Sequence, residues 1–192
     1  MTGKGTIKTG VNHGATGGRG TMLWLTGLSG SGKSTLASAV RDRLITLGHA
    51  AYVIDGDRTR QGLCADLGFS RSDRAENVRR VGEAANLLVD AGLIVLAACI
   101  SPFRDDRARV RAIFNPSQYV EIYCSASLSA CEARDVKGLY AKARRGEIKE
   151  FTGVSSPYEP PLEADLCVDA GSRNVEESIA AIMLLLIERG VI

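Results

Sequence analysis

The stretch LWLTGLSGSGKSTLASAV, residues 23–40, decides how the rest of the chain is read. Gly27 to Ser34 fit G-x-x-x-x-G-K-[ST], the pattern of a phosphate-binding loop. The apolar run TMLWLT (21–26) stands before it and a helical pattern follows from about residue 33, the strand–loop–helix setting such a loop requires. Glycines 27 and 32 permit backbone angles that turn amide N–H groups inward toward phosphate. The positive end of the next helix adds to that attraction. We therefore assign Gly27, Leu28, Ser29, Gly30, Ser31, Gly32, Lys33, Ser34 and Thr35 to a nucleotide cradle. In it Lys33 reaches the β- and γ-phosphates and the Ser34 hydroxyl binds Mg²⁺.

Outward from this loop, apolar runs alternate with helical patterns. Strands are expected at 21–26, 50–55, 93–100, 119–124 and 166–170, and helices at about 33–47, 73–91, 104–114, 128–133 and 174–189. LIVLAACI (93–100) is continuously apolar rather than alternating, as in a parallel strand covered on both faces. The pattern predicts an α/β fold of the P-loop NTPase type: a doubly wound parallel five-stranded sheet with helices on both faces and a lid. Residues 1–20 hold seven glycines and little to bury, and read as a flexible Gly-rich arm. Residues 21–192 form one P-loop kinase domain, with the lid at about 138–155.

Composition narrows the function classes. Apolar residues make up 45% and charged residues 24%, an ordinary soluble mixture. The net charge is +2, and no broad basic stretch favours nucleic acid. No apolar run approaches the ~20 residues of a membrane span, and the N-terminus has no apolar signal core, so a cytoplasmic chain is expected. Arginine outnumbers lysine by 18 to 6, which suits bidentate grips on oxyanions as well as solvated helix faces. The five cysteines (64, 99, 124, 131, 167) show no C-x-x-C spacing. Cys99, Cys124 and Cys167, in strand-like runs, are expected to be buried small hydrophobes rather than zinc ligands.

In doubly wound sheets, ligands bind beyond the carboxyl ends of the strands. Polar clusters stand at each of the first three. VIDGDRTRQGL (53–63) follows the second strand. Its acids can hold Mg²⁺, meet a substrate hydroxyl or cap a turn; we assign Asp57 to catalysis and pair Asp55 with Ser34 at the metal. In DLGFSRSDRAENVRR (66–80), Ser72 or Asp73 caps a helix on which Arg74 and Asn77 share a face. Taken alone, that face reads as solvated. ISPFRDDR (100–107) places Ser101 just past the third strand. A serine nucleophile needs an activating base, and the histidines, His13 and His49, are poorly placed to serve. RDVKGLYAKARRGEIKEFTG (134–153) is long, basic and glycine-punctuated, as lids often are. Taken alone it also reads as a surface helix; as a lid, Arg134, Lys137, Lys142, Arg144 and Arg145 close over nucleotide.

A GTP-dependent switch is disfavoured, because no N-K-x-D is present and SPFR stands where D-x-x-G would follow the third strand. Residues 21–190 resemble the adenylylsulfate kinase (APS kinase) family. GLSGSGKST, DGD, LGFS, DRAENVRR, ISPFR, RDVKGLY and IKEFTGVSSPYEPP all stand in family order. The resemblance implies transfer of the ATP γ-phosphate to the 3′-hydroxyl of adenosine 5′-phosphosulfate (APS), giving PAPS and ADP, by a cytosolic Mg²⁺-dependent homodimer of sulfate assimilation. Carried over by position, it places Arg60, Phe69, Arg74, Asn77, Ile100, Ser101, Lys137, Leu139 and Phe151 with Asp57 around APS, and Arg134 and Arg144 with the nucleotide cradle around ATP. DGDRTR departs from the family's commoner DGDNIR or DGDNVR but keeps Asp57 and Arg60. The family's ISP serine is often described as a phosphorylated intermediate; lacking a base, Ser101 reads as a substrate contact. The alternative is another P-loop metabolite kinase, acting on a nucleoside or sugar acid.

Overall fold

The computed structural model describes residues 20–169 and 174–192. The expected arm therefore lies outside the described residues except for Gly20, as does residue 170 of the last expected strand. Five parallel strands, β1 (Thr21–Thr26), β2 (Ala51–Asp55), β3 (Ile94–Ala98), β4 (Tyr119–Ser125) and β5 (Leu166–Asp169), lie in the order β2-β3-β1-β4-β5. The strand bearing the phosphate loop is thus central, with Leu23 level with Leu96 on one side and Val120 on the other. Between β1 and β3 the connections leave in opposite directions, the crevice where such sheets bind ligands.

The uninterrupted apolar runs are explained by cover on both faces. Leu23 and Leu25 of β1 pack under α1 (Lys33–Thr46) and α7 (Val175–Glu188), against Leu36, Val40, Leu44, Ile182 and Leu186. Met22 and Trp24 face the other way, toward α3 (Arg71–Asp90) and α4 (Arg104–Arg111), against Val78, Val81, Ala85 and Val110. Gly82 lets α3 and α4 close up: a Cβ there would lie 3.0 Å from a Val110 methyl. The remaining helices are short: α2 (Gly56–Thr59), α5 (Leu128–Arg134) and α6 (Leu139–Arg144). α2 and α6 are too brief to have shown a 3.6-residue period.

Two expectations are corrected. Helix α3 is capped by Ser70, whose hydroxyl oxygen accepts the Asp73 N–H at 3.1 Å, and not by Ser72 or Asp73. The S-x-x-D spacing starts the helix two residues early, and Ser70 also donates to the Asp73 carboxylate. Cys167 is exposed, because β5 is an edge strand on which only the Val168 face is covered by helix. Cys99 and Cys124 are buried as expected, and burial pushes their thiols up to about 12, so they remain inert.

Candidate active site

The ends of β1, β2 and β3, the start of α3, and residues 134–152 enclose one cavity of about 980 Å³. Its volume sits at the top of the ~300–1,000 Å³ usual for a single ligand site. One end is lined by Ser29, Gly30, Gly32, Lys33, Ser34 and Thr35, the other by Arg60, Phe69, Arg74, Asn77 and Phe151, with Asp55, Asp57 and Ser101 between them. Residues far apart in sequence are thus brought together by three strand ends, the start of α3 and the segment 134–152.

At the phosphate end, Gly27 (φ 151°) is required by close approach: a Cβ would stand 2.6 Å from the Cys124 carbonyl oxygen and 2.7 Å from Ser31 Oγ. Gly32 (φ 86°) is the left-handed N-cap of α1. Gly27, Leu28 and Ser31 form the underside of the loop rather than the cavity wall. The Lys33 ammonium is buried and folded back onto that underside, donating to Gly27 O (2.9 Å), Leu28 O (2.6 Å) and Ser31 Oγ (3.3 Å). Burial lowers its pKa. All three donors are satisfied by the loop, so meeting phosphate requires an exchange of partners rather than a new desolvation. A Gly27→Ala enzyme is expected to lose ATP binding by more than ~10-fold, read by nucleotide titration, because the loop must shift by several tenths of an ångström to admit the methyl.

The Ser34 hydroxyl donates to Asp55 Oδ2 at 2.6 Å. Asp55 is also the N-cap of α2, accepting from the Asp57 and Arg58 N–H groups. Partial burial opposes its charge, but the Ser34 hydroxyl and the two backbone N–H groups outweigh that and hold its carboxyl below the usual range. Asp55 consequently stays ionised through neutral pH. A hydroxyl and an ionised carboxylate side by side are hard oxygen donors of the kind that, completed by phosphate oxygens and water, suit Mg²⁺. Among the described residues no cluster of three His, Cys, Asp or Glu side chains forms a cage of its own.

Asp57, one residue into α2, is largely exposed and pairs with Lys137 from the segment ahead of α6. Arg60 Nη1 donates to Gly68 O (3.0 Å) and its guanidinium lies 4.4 Å from the Phe69 ring centroid. The face carrying Arg74 and Asn77 is not solvated: both are buried. Arg74 ties α3 to the lid, donating to Thr152 Oγ1 (3.0 Å), Glu150 O and Phe69 O. Among the described residues Asn77 Nδ2, buried on the cavity wall, has no hydrogen-bond partner, which leaves a donor open to the cavity. Phe151 is buried edge-on against Tyr140, centroids 5.0 Å apart, whereas Phe69 is about half exposed. Ile100 and Leu139 also line the cavity.

Of the lid cations, Arg134 and Lys137 reach the wall. Arg134 donates to Gly30 O at 3.2 Å. Arg144 is not brought there: it is turned outward onto Glu132 at 2.7 Å, as Arg145 is onto Glu147. Of helix α6 only Leu139 and Tyr140 line the cavity, and Arg144, one turn beyond Tyr140 on the same face, reaches Glu132 of α5 instead. Sequence reasoning missed Tyr140, Thr152, Val175 and Ser178. Tyr140 OH donates to Ser29 O at 2.9 Å, joining lid to phosphate loop, and its signal lay in the GLY of RDVKGLY. Val175 and Ser178, in the first turn of α7, close the nucleotide end with no distinguishing sequence pattern.

Comparison with known proteins agrees with this arrangement. A family model described as adenylylsulphate kinase matches residues 19–169. The chain is 56% identical over 167 residues to an adenylyl-sulfate kinase of Prochlorococcus marinus, covering 87% of this chain and 83% of that one. The structure of Mycobacterium tuberculosis APS kinase in complex with AMPPNP and APS is 48% identical, with a TM-score of 0.85, covering 88% of this chain and 98% of that one. A hexameric APS kinase from Thiobacillus denitrificans is 31% identical, with a TM-score of 0.68, over 91% of this chain and 30% of that longer one.

Proposed function

Because this chain belongs to the adenylylsulphate kinase family, we propose that it is an ATP-dependent phosphotransferase moving the γ-phosphate of ATP to the 3′-hydroxyl of adenosine 5′-phosphosulfate, with PAPS and ADP as products. The observation that carries the reading is that one cavity holds both sets of residues. A phosphate loop forms one end, an open amide donor and two aromatic rings form the other, and an exposed carboxylate stands between. The relative crystallised with AMPPNP and APS held both classes of ligand at once.

Phosphoryl transfer is governed by alignment and charge neutralisation. Backbone N–H groups of residues 29–35 and the α1 N-terminus hold the β- and γ-phosphates, with Lys33 released from its loop carbonyls to meet them. Ser34 and Asp55 would hold Mg²⁺, which supplies positive charge to the polyphosphate when bound. Phe69 and Phe151 stack on the adenine of APS, while Asn77 and Arg60 supply polar selection. Asp57 orients the 3′-hydroxyl and takes its proton as the oxygen bonds to phosphorus and ADP departs. Arg74 holds Phe151 in place through Thr152 and Glu150. Residues 134–152 exclude water, which would otherwise hydrolyse ATP. A cytoplasmic homodimer is part of this reading; light scattering at micromolar concentration tests the dimer.

The direct test is an assay with ATP and Mg²⁺ against a panel of acceptors: APS, AMP, a nucleoside and a sugar acid. Product phosphorylated at the APS 3′-position is expected, and phosphorylation of another acceptor at a higher kcat/KM would replace the assignment. Phe151→Ala should raise the APS KM by about tenfold, since a stacking contact contributes ~1–3 kcal/mol, with ATP affinity little changed. In the wild type, residues 138–155 should gain hydrogen-exchange protection when APS and ADP are both present. An unaltered KM and unaltered protection together would remove Phe151 from the acceptor site.

A further inference from the structure

The Ser101 hydroxyl is not an isolated group on the cavity wall. Ser101 is buried and sits at φ 38°, in the left-handed region that a serine adopts only when its surroundings enforce it. Arg107 Nη1 donates to Ser101 O at 2.8 Å, while the same guanidinium is anchored on Glu121 (2.7 Å) and Glu159 O (2.8 Å). The side chain is enclosed as well. Trp24 Nε1 donates to Ser101 Oγ at 3.0 Å, and Ser101 Oγ lies 3.0 Å from Thr26 Oγ1. Thr26 Oγ1 also lies 2.8 Å from Ile100 O and 3.0 Å from Tyr158 OH. Trp24 and Thr26 are fully buried in β1.

Proton counting assigns the directions in this network once the nearer acceptor is taken at Ser101. A carbonyl oxygen only accepts, so the single Thr26 hydroxyl proton goes to Ile100 O. Thr26 Oγ1 is left with two lone pairs, which take the protons of Ser101 and Tyr158. Burial keeps the Tyr158 phenol protonated, consistent with its role as donor. Ser101 then gives its proton to Thr26 Oγ1 at 3.0 Å, nearer than Cys99 O at 3.4 Å, and both acceptors belong to the protein rather than the ligand; one lone pair is used for Trp24 Nε1. What it retains toward the cavity is one lone pair. It is an acceptor for a donor on the bound ligand, and its proton is held on the side away from it.

We propose that Thr26, assisted by Trp24, is a positioning residue: it locks the Ser101 hydroxyl as a hydrogen-bond acceptor facing the phosphate-accepting nucleotide. The proposal rests on the acceptor reading given above. The ligand partner is an O–H or N–H donor, either the ribose 2′-hydroxyl or the exocyclic amine of the base, since the 3′-hydroxyl proton is given to Asp57. Neither Trp24 nor Thr26 lines the cavity, so both act through Ser101.

The test measures APS and ATP KM separately, with melting temperature, for the wild type, Thr26→Val, Thr26→Ser, Ser101→Ala and the Thr26→Val/Ser101→Ala double variant. Thr26→Val keeps shape and removes the hydroxyl. It should raise the APS KM by about tenfold, the size of one lost hydrogen bond, with ATP KM within about twofold of wild type. Thr26→Ser should restore the APS KM. In the Ser101→Ala background the same valine should add little, because the group it orients is gone. An equal rise in both KM values, or an APS penalty as large in the Ser101→Ala background as in the wild type, would mean that Thr26 acts through packing alone, and the proposal falls. Trp24→Phe is the second variant if valine at 26 impairs folding; it should show a smaller APS-only rise that vanishes with Ser101→Ala, and a rise that persists there overturns the proposal equally. A wild type inactive on APS would instead overturn the acceptor reading. Parallel assays with 2′-deoxy-APS and with an analogue lacking the adenine amine assign the donor: the Thr26→Val effect disappears with whichever analogue lacks it, and its persistence with both counts against the proposal.

Discussion

Lys33→Ala is expected to lower turnover at saturating ATP by about 10²–10³-fold while leaving the protein folded. Preorganised positive charge at the transferring group is the type of contribution whose removal costs ~3–4 kcal/mol of barrier. The ammonium sits on its own loop, with bonds to Gly27 O, Leu28 O and Ser31 Oγ. It is therefore already desolvated, and binding phosphate replaces three neutral acceptors with anionic oxygens. The ammonium's bonds to the loop are already charge-assisted, and an anionic oxygen adds a direct charge–charge attraction that is strongest when charge peaks on the transferring group. Because Lys33 lines the cavity, alanine opens the space of the ammonium to it and water can enter to meet the loop carbonyls, so circular dichroism and melting temperature should change little. Turnover within a few-fold of wild type would refute the role given to the loop.

Asp57→Asn should reduce kcat by about 10²–10⁴-fold, the usual worth of a positioned acid–base group, with ATP KM changed by less than about threefold. The structure separates the two acids of DGD. Asp55 is spent on Ser34 and on the first N–H groups of α2, whereas Asp57 meets the exposed ammonium of Lys137, a partner on a long side chain that is readily exchanged. Asp55→Asn should consequently raise the Mg²⁺ and ATP requirement before it touches the acceptor. The reverse pattern, with kcat lost at 55 and nucleotide affinity lost at 57, would exchange the two roles. Because Asp55 titrates below the ordinary carboxylate range, nucleotide affinity that depends on its charge is retained at neutral pH and lost only as pH falls through that lowered value.

Local chemistry carries far in this sequence. The loop at 27–34 needs glycine at 27 because a side chain would strike Cys124 O, and that demand is visible as a pattern in one dimension. The continuous apolar strands announce their own two-sided burial, and so the parallel sheet. The clusters at 27–34, 55–60 and 101–106 are legible as a set because strand ends share one edge, whereas 69–77 and 134–151 join them only through the family resemblance. What one dimension leaves undecided is orientation. Arg74 and Asn77 share a helix face that reads as solvated until the lid is laid across it. Arg144 belongs to the same basic stretch as Arg134 and Lys137, yet it stands one turn past the cavity wall and is drawn onto Glu132. Cys167 and Cys124 occupy similar apolar strands, but only the strand of Cys124 lies inside the sheet, while that of Cys167 is at its edge. Ser101 shows no base in sequence. That its proton is turned away from the site is decided by Trp24 and Thr26, about 75 positions earlier, and by Tyr158 beyond the lid. Residue types and spacings set which backbone shapes and charges are available, since those are local properties. Which lone pair faces a ligand depends on how many neighbours compete for each proton, and only the packed chain brings those neighbours together.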